Sequence, residues 1–120
     1  MEKVAVILIR SRINVDVHIR DTLDKLNLTR KFTCSVYDKT PAIMGMLNKV
    51  KDYTTFGEIN DETLKLLEQK AKRDKKKPHV FHLKPPLKGF ERKGIKKPYS
   101  IGGALGYRGE SINDLIKRMV

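Results

Sequence analysis

The sequence is poor in the residues that stabilise secreted domains or span membranes. It has 120 residues, a single cysteine and no tryptophan, and no apolar run approaches the roughly 18 residues of a membrane-spanning helix. Because Cys34 has no partner for an internal disulfide, we expect a reducing compartment, the cytoplasm. Residues 1–9 are largely apolar, but Arg10 and Arg12 follow them, whereas a signal peptide has its basic region first. These absences predict one water-soluble domain.

Groups suited to catalysis or metal binding are also few. The three histidines are scattered, and His79 and His82, three apart in a predicted strand, would point to opposite faces. The glycines of GGALG, residues 102–106, lack the GK[ST] ending and the GxGxxG spacing of nucleotide-binding loops. Neither Ser100 nor Ser111 has a suitable His and acid partner. We therefore expect no catalytic residue, metal site, cofactor or enzymatic activity.

Positive charge is what the sequence has in excess. The formal net charge is +12, of which residues 61–120 carry +9. Residues 70–99 contain 12 basic residues and only two acids. A domain this small gains no stability from such self-repulsion, so the concentrated charge predicts a polyanionic partner.

Hydrophobic periodicity divides the chain into alternating strands and helices. KVAVILIR, residues 3–10, predicts a strand buried on both faces and central in a sheet. KFTCSVY, residues 31–37, alternates apolar and polar residues and predicts a half-buried strand. Further strands are predicted at 52–56 and 79–83, and helices from Asp16 to about Leu28, Thr40 to Val50, Asn60 or Asp61 to about Arg73, and Ser111 to Met119.

This order of elements predicts an α/β domain of the α+β kind. A small sheet would carry helices on one face and leave the other face for something else. Residues 1–60 would form the core, and residues 61–120 would add a third helix, a basic Gly/Pro-rich extension and a final helix, in one domain overall. Gly45, inside the second helix, costs about 1 kcal/mol relative to alanine, which indicates close packing or the approach of a partner.

Segment 84–109, KPPLKGFERKGIKKPYSIGGALGYRG, combines cations, aromatic rings and glycines. Lysine and arginine neutralise phosphates, arginine planes and aromatic rings stack on unpaired bases, and glycine allows close backbone approach. Its apolar residues, such as Leu105, are expected to anchor it to the protein's own core. Tyr99 and Tyr107 fit either role. The basic run at 70–77 could likewise be either a solvated surface or a nucleic-acid contact.

Several stretches together resemble the large-subunit ribosomal proteins of the L-thirty family, in the longer archaeal and eukaryotic form. They are KVAVILIRSRINV, TPAIMGMLNKV with its flanking residues, and FHLKPPLKGFERKGIKKPYSIGGALGYRGESINDLI, and the resemblance covers nearly the whole chain. It implies a ferredoxin-like β-α-β-α-β core that lies on ribosomal RNA and has no catalytic role. Typical archaeal members carry a longer insertion between the third helix and the FHL strand, where this chain has only KAKRDKKKPH.

Matching the family's motifs residue by residue implies a set of RNA contacts. The set is Arg10, Arg12, Arg30, Lys31, Thr40, Gly45, Met46, Lys49, Lys84, Lys88, Arg92, Lys93, Lys96, Lys97, Tyr99 and Arg108. Lys49, like Lys51, could equally be solvated. The implied partners are large-subunit ribosomal RNA, with a position near the 5S RNA as one option, and neighbouring ribosomal proteins. No membrane and no small-molecule substrate are expected.

Two other classes of function compete with this interpretation. A small-molecule-binding regulatory domain on the same fold would need a concave apolar pocket, and it would leave the charge unexplained. An enzyme acting on RNA would need an acid–base or metal constellation, for which the sequence offers only isolated histidines and scattered acids.

Overall fold

The computed structural model describes residues 3–10, 15–28, 31–70, 72–73, 80–83, 99, 103, 105–109 and 111–119. In chain order the elements are β1 (Lys3–Leu8), α1 (Val17–Lys25), β2 (Thr33–Asp38), α2 (Pro41–Lys49), β3 (Thr54–Ile59), α3 (Asp61–Lys70), β4 (Lys72–Arg73), β5 (Val80–His82), β6 (Gly106–Tyr107) and α4 (Ser111–Met119). In the part of the chain described, no helix is both long and apolar enough to cross a membrane.

The predicted alternation of strands and helices is confirmed, with corrections at two helix ends and in the third strand. That strand is Thr54–Ile59 rather than the predicted 52–56, because residues 51–53 form a turn. The first helix stops at Lys25 rather than near Leu28, because Asn27 takes a left-handed φ of 62°, a conformation that ends helices. The third helix stops at Lys70 rather than near Arg73. Lys72 and Arg73 pair instead with β5 as a short strand.

The six strands form one sheet in the order β4-β5-β2-β1-β3-β6. β1 lies between β2 and β3 and is antiparallel to both, so that Ile7 faces Cys34 on one side and Thr55 on the other. β6 pairs with β3 in parallel. The central place predicted for the first strand is confirmed, as is the ferredoxin-like β-α-β-α-β core.

Side chains of β1 alternate between two separate cores. The core beneath α1 and α2 contains Val4, Val6, Leu8, Leu23, Leu47 and Phe56. The core on the opposite face, beneath α3 and α4, contains Ala5, Ile7, Ile9, Leu67, Ile112 and Leu115. The first two helices therefore cover one face, as expected, and the chain's own third and fourth helices cover the face that the sequence left open.

Strand β2 corrects the prediction of a half-buried strand. Thr33 and Ser35, the polar members of the alternation, are as buried as Cys34. β2 is an interior strand between β1 and β5, and helices lie over both faces of the sheet. The alternation of apolar and polar residues therefore does not show which face of β2 meets water, because the small hydroxyl side chains of Thr33 and Ser35 also fit beneath a helix.

Side chains cap the starts of the first three helices. The Asp16 side chain accepts a hydrogen bond of 2.8 Å from the His18 N–H, and Thr40 accepts one of 3.3 Å from the Ile43 N–H. Asn60 rather than Asp61 caps α3, through a 2.8 Å bond from the Thr63 N–H to its Oδ1. Each cap satisfies a backbone donor that the helix leaves free.

Candidate nucleic-acid interface

One end of the sheet collects cations from separate parts of the sequence. Because β1 is antiparallel to β2 and β3, the carboxyl end of β1 meets the amino ends of both neighbours. The Phe32 N–H donates to the Leu8 carbonyl (2.6 Å), and the Ile9 N–H donates to the Tyr53 carbonyl (3.2 Å). We call this the basic end, and it comprises Arg10, Lys31, Lys49 and Lys51 with the aromatic residues Phe32 and Tyr53.

Arg10 is fixed at the basic end by two contacts with the turn before β3. Its guanidinium carbon lies 5.0 Å from the centre of the Tyr53 ring. Its Nη1 donates a hydrogen bond of 3.1 Å to the Asp52 carbonyl oxygen. Because the side chain is only half-buried, it combines a fixed orientation with access for a partner, as a predicted phosphate or base contact requires.

Lys31 stands beside a strained residue. Its Nζ lies 5.2 Å from the centre of the Phe32 ring, and Phe32 has a φ of 68°, which costs a bulky residue about 1–3 kcal/mol. Hydrogen bonds hold Phe32 on both sides, because its N–H donates to Leu8 and its carbonyl accepts from the Leu83 N–H (3.0 Å). Leu83 immediately precedes residues 84–98, a stretch rich in lysine and arginine that we call the basic stretch. Lys31 therefore lies close to the point where that stretch begins.

Helix α2 and its N-cap include four of the predicted contacts, in different surroundings. The Thr40 hydroxyl is occupied as the N-cap, at the end of α2 away from the basic end. Met46 is partly buried against the core, whereas Gly45 and Lys49 are exposed. A Cβ placed on Gly45 would meet no atom of the described residues within 4 Å. Close packing within the described part of the chain therefore does not explain this glycine.

Arg108 is buried beside β3, and the half-buried Tyr99 packs against it. Arg108 is only 5% exposed, and its Nε donates a hydrogen bond of 2.7 Å to Thr55 Oγ1. Its guanidinium carbon lies 4.8 Å from the centre of the Tyr99 ring. This burial favours an internal role for Arg108 over a direct RNA contact.

Tyr107 is engaged by the protein's own surface. The residue is 53% exposed. Its ring contacts the Phe56 ring, and its hydroxyl donates a hydrogen bond of 2.7 Å to the Glu58 carboxylate. Lys39 Nζ lies 2.8 Å from the same carboxylate. Partial burial raises the pKa of Glu58, but the hydrogen bonds from Lys39 and Tyr107 outweigh it and hold that pKa below its ordinary value. These contacts favour an anchoring role for Tyr107.

Eight of the predicted contacts lie outside the described residues. They are Arg12, Arg30, Lys84, Lys88, Arg92, Lys93, Lys96 and Lys97. Two residues of the site were not predicted from the sequence: Tyr53, which contacts Arg10, and Thr55, which binds Arg108. Their only signal was their place at the start of a predicted strand, which does not reveal what lies across the sheet.

Two features of the described residues bear on catalysis: their metal-ligating side chains and the Cys34 thiol. The described residues contain no group of three or more His, Cys, Asp or Glu side chains placed to hold a metal ion. Complete burial raises the pKa of the Cys34 thiol to about 12, so the thiol stays protonated and is neither a nucleophile nor a ready metal ligand.

Comparisons with known proteins point to one family. A family model described as "Ribosomal protein L30p/L7e" matches residues 4–54. Proteins named "Large ribosomal subunit protein uL30" match most of the chain. The protein of Methanopyrus kandleri is 38% identical over 92% of this chain and 99% of its own length. That of Nanoarchaeum equitans is 37% identical over 97% of both chains.

The relatives are longer than this chain. The protein of Sulfolobus acidocaldarius is 36% identical over 155 aligned positions, covering 99% of both chains, whereas this chain has 120 residues. The relatives therefore contain residues without a counterpart here. This agrees with the expectation that the chain lacks an insertion typical of archaeal members.

Proposed function

The chain belongs to the ribosomal protein L30p/L7e family, and on that premise we propose that it is a structural, non-catalytic constituent of the large ribosomal subunit that binds ribosomal RNA. It would work in the cytoplasm as part of the ribosome, beside neighbouring ribosomal proteins. The observation that carries the proposal is the basic end, where Arg10 follows β1, Lys31 precedes β2 and Lys49 ends α2 at one end of the sheet.

Binding would rest mainly on phosphate neutralisation. Exposed lysines such as Lys31 and Lys49 release counterions when they meet phosphates, which favours association without reading sequence. The flat guanidinium of Arg10, supported by Tyr53, adds a surface on which an unpaired base can stack. Gly45 lets the sugar–phosphate backbone come close to α2. The cations of residues 84–98, which begin next to Leu83, would extend this surface.

Two described residues are not included among the proposed direct contacts. Arg108 is buried, and the Thr40 hydroxyl is occupied as a helix cap. Met46 would contribute only through its exposed part. The eight predicted contacts outside the described residues remain in the proposal on the strength of their charge and of the family resemblance.

Salt dependence of binding to protein-free large-subunit ribosomal RNA tests the proposal. With roughly 6–10 phosphate contacts, the affinity should fall by about 10³ or more between 50 and 200 mM salt. The protein should also co-sediment with large ribosomal subunits in high salt. A flat salt response, or absence from ribosomes, would contradict the proposal. A parallel titration with isolated 5S RNA tests the proposed position near that molecule.

The small-molecule alternative gains no support from the described residues. Both faces of the sheet are covered by the chain's own helices, so the open face on which a metabolite pocket could form is occupied. Saturable binding of a metabolite by the RNA-free protein would revive this alternative.

A further inference from the structure

Tyr99 is the first described residue after the basic stretch 84–98, and three interactions hold it. Its N–H donates a hydrogen bond of 2.8 Å to the Leu105 carbonyl, and its hydroxyl lies 3.1 Å from Ser111 Oγ. The third is the Arg108 guanidinium over its ring. Leu105 is itself buried in the core. The end of the basic stretch is therefore attached to the folded domain through Tyr99.

Arg108 connects Tyr99 to the sheet. Its N–H donates to the Phe56 carbonyl (2.9 Å) and its Nε donates to Thr55 Oγ1, so β3 binds both its main chain and its side chain. The Thr55 hydroxyl in turn donates to the Gly106 carbonyl at 3.1 Å. Thr55 is completely buried, so it takes part in this arrangement without reaching a partner.

A buried guanidinium is expensive, and an apolar side chain would fill the same space at lower cost. Arginine offers two things that an apolar residue or a lysine lacks: an Nε–H donor and a flat face that stacks on an aromatic ring. Here the donor meets Thr55 and the flat face meets Tyr99. Both special properties of the side chain are thus used inside the protein.

We infer that Arg108 is a positioning residue: it fastens Tyr99 to β3 and thereby sets where the basic stretch returns to the domain, without itself touching RNA. This inference rests on the proposed RNA-binding function. It explains why this arginine of the extension is buried, whereas Lys31, near the other attachment point at Leu83, is exposed. An RNA-binding surface held at both ends loses less conformational freedom on binding.

The test compares variants of the full chain by two measurements. Hydrogen exchange of the Tyr99 amide, without RNA, reports whether Tyr99 is held. Affinity for protein-free large-subunit ribosomal RNA between 50 and 200 mM salt reports the consequence. The variants are Arg108→Lys, which keeps the charge, Thr55→Val, which removes only the buried hydroxyl, and Thr55→Ser as the matched control.

We expect Arg108→Lys and Thr55→Val each to speed Tyr99 exchange and to weaken RNA binding by about two- to tenfold, the worth of one hydrogen bond. The double variant should be no worse than the more severe single one, because both break the same connection. Thr55→Ser should behave as the wild type. Thr55→Val leaves the buried Arg108 Nε–H without its acceptor, so its midpoint of thermal unfolding should fall. RNA affinity is therefore compared at a temperature well below the midpoint of each variant, which keeps the test valid for every variant that is folded there.

Two results would overturn the inference. If both variants bind RNA as the wild type does, while Arg108→Ala lowers the salt slope by about one unit, Arg108 is a direct phosphate contact. If Tyr99 exchange accelerates but RNA affinity stays unchanged, the arrangement is merely structural. Failure of the wild-type protein to bind RNA would instead contradict the proposed function, and Tyr99 exchange alone would still decide whether Arg108 holds Tyr99.

Discussion

Gly57 of β3 and Gly109, just before α4, approach so closely that a Cβ on Gly57 would overlap the Gly109 carbonyl oxygen. This contact seats the C-terminal helix on the sheet, where Ile112 and Leu115 complete the second core. We expect Gly57→Ala to destabilise the protein by about 3 kcal/mol, the upper range for overpacking, because backbone cannot move aside as a flexible side chain can. Chemical denaturation measures the change.

Gly45→Ala is the matched control for that substitution. The added methyl group would meet no atom of the described residues within 4 Å, so the variant should be more stable than the wild type by about 1 kcal/mol, as helix propensity dictates. Equal losses in the two variants would show that neither glycine is explained by its surroundings.

The same Gly45→Ala variant tests the proposed approach of RNA to α2. If the sugar–phosphate backbone lies against Gly45, the stabilised variant should bind large-subunit ribosomal RNA less tightly, which would separate stability from affinity. Unchanged affinity would remove Gly45 from the interface. The measurement is a binding titration at a fixed, stated salt concentration, since affinity depends steeply on salt.

The basic end can be tested with two lysines near opposite ends of the sheet. Lys3 begins β1, and Lys31 lies near the other end of that strand; both are exposed. Lys31→Ala should lower the salt slope of RNA binding by about one unit, whereas Lys3→Ala should leave it unchanged. Equal effects of the two substitutions would indicate diffuse attraction by the net charge rather than a localised surface.

The basic stretch outside the described residues has its own test. Replacing Arg92, Lys96 and Lys97 by alanine should lower the salt slope by about one unit for each lost phosphate contact and leave the melting temperature unchanged. If the protein instead unfolds early, these cations stabilise the fold and are wrongly assigned to RNA. Circular dichroism, followed during heating, distinguishes the two cases.

Glu58 should contribute to the pH dependence of stability. Its pKa is held below the ordinary value of 4.5 in the folded protein, so folding favours the charged form. The contribution is present above the unfolded pKa and is lost as the pH falls through the folded pKa. Wild-type protein should therefore lose more stability than Glu58→Gln between about pH 6 and about pH 3. Parallel curves for the two proteins would contradict this assignment.

Local features of the fold could be predicted because they depend on neighbours in the sequence. Asp16 and Thr40 cap helices through donors two and three residues away, and the apolar run of β1 required burial on both faces. The burial of Thr33 and Ser35 could not be predicted, since it depends on α1 and α2 lying over that part of the sheet. Nor could the strand at Lys72, which exists because β5 presents a free edge.

The candidate site likewise has features that the sequence predicts and features that depend on the fold. Composition and spacing were sufficient to predict a polyanionic partner, because net charge and its concentration in residues 70–99 do not depend on folding. Which cations face that partner depends on contacts across the sheet. Antiparallel pairing of β1 and β2 places Arg10 at the same end of the sheet as Lys31. The Thr55 hydroxyl and the Tyr99 ring bind the guanidinium of Arg108, which is buried. Charge is a property of residues, whereas exposure is a property of what packs against them.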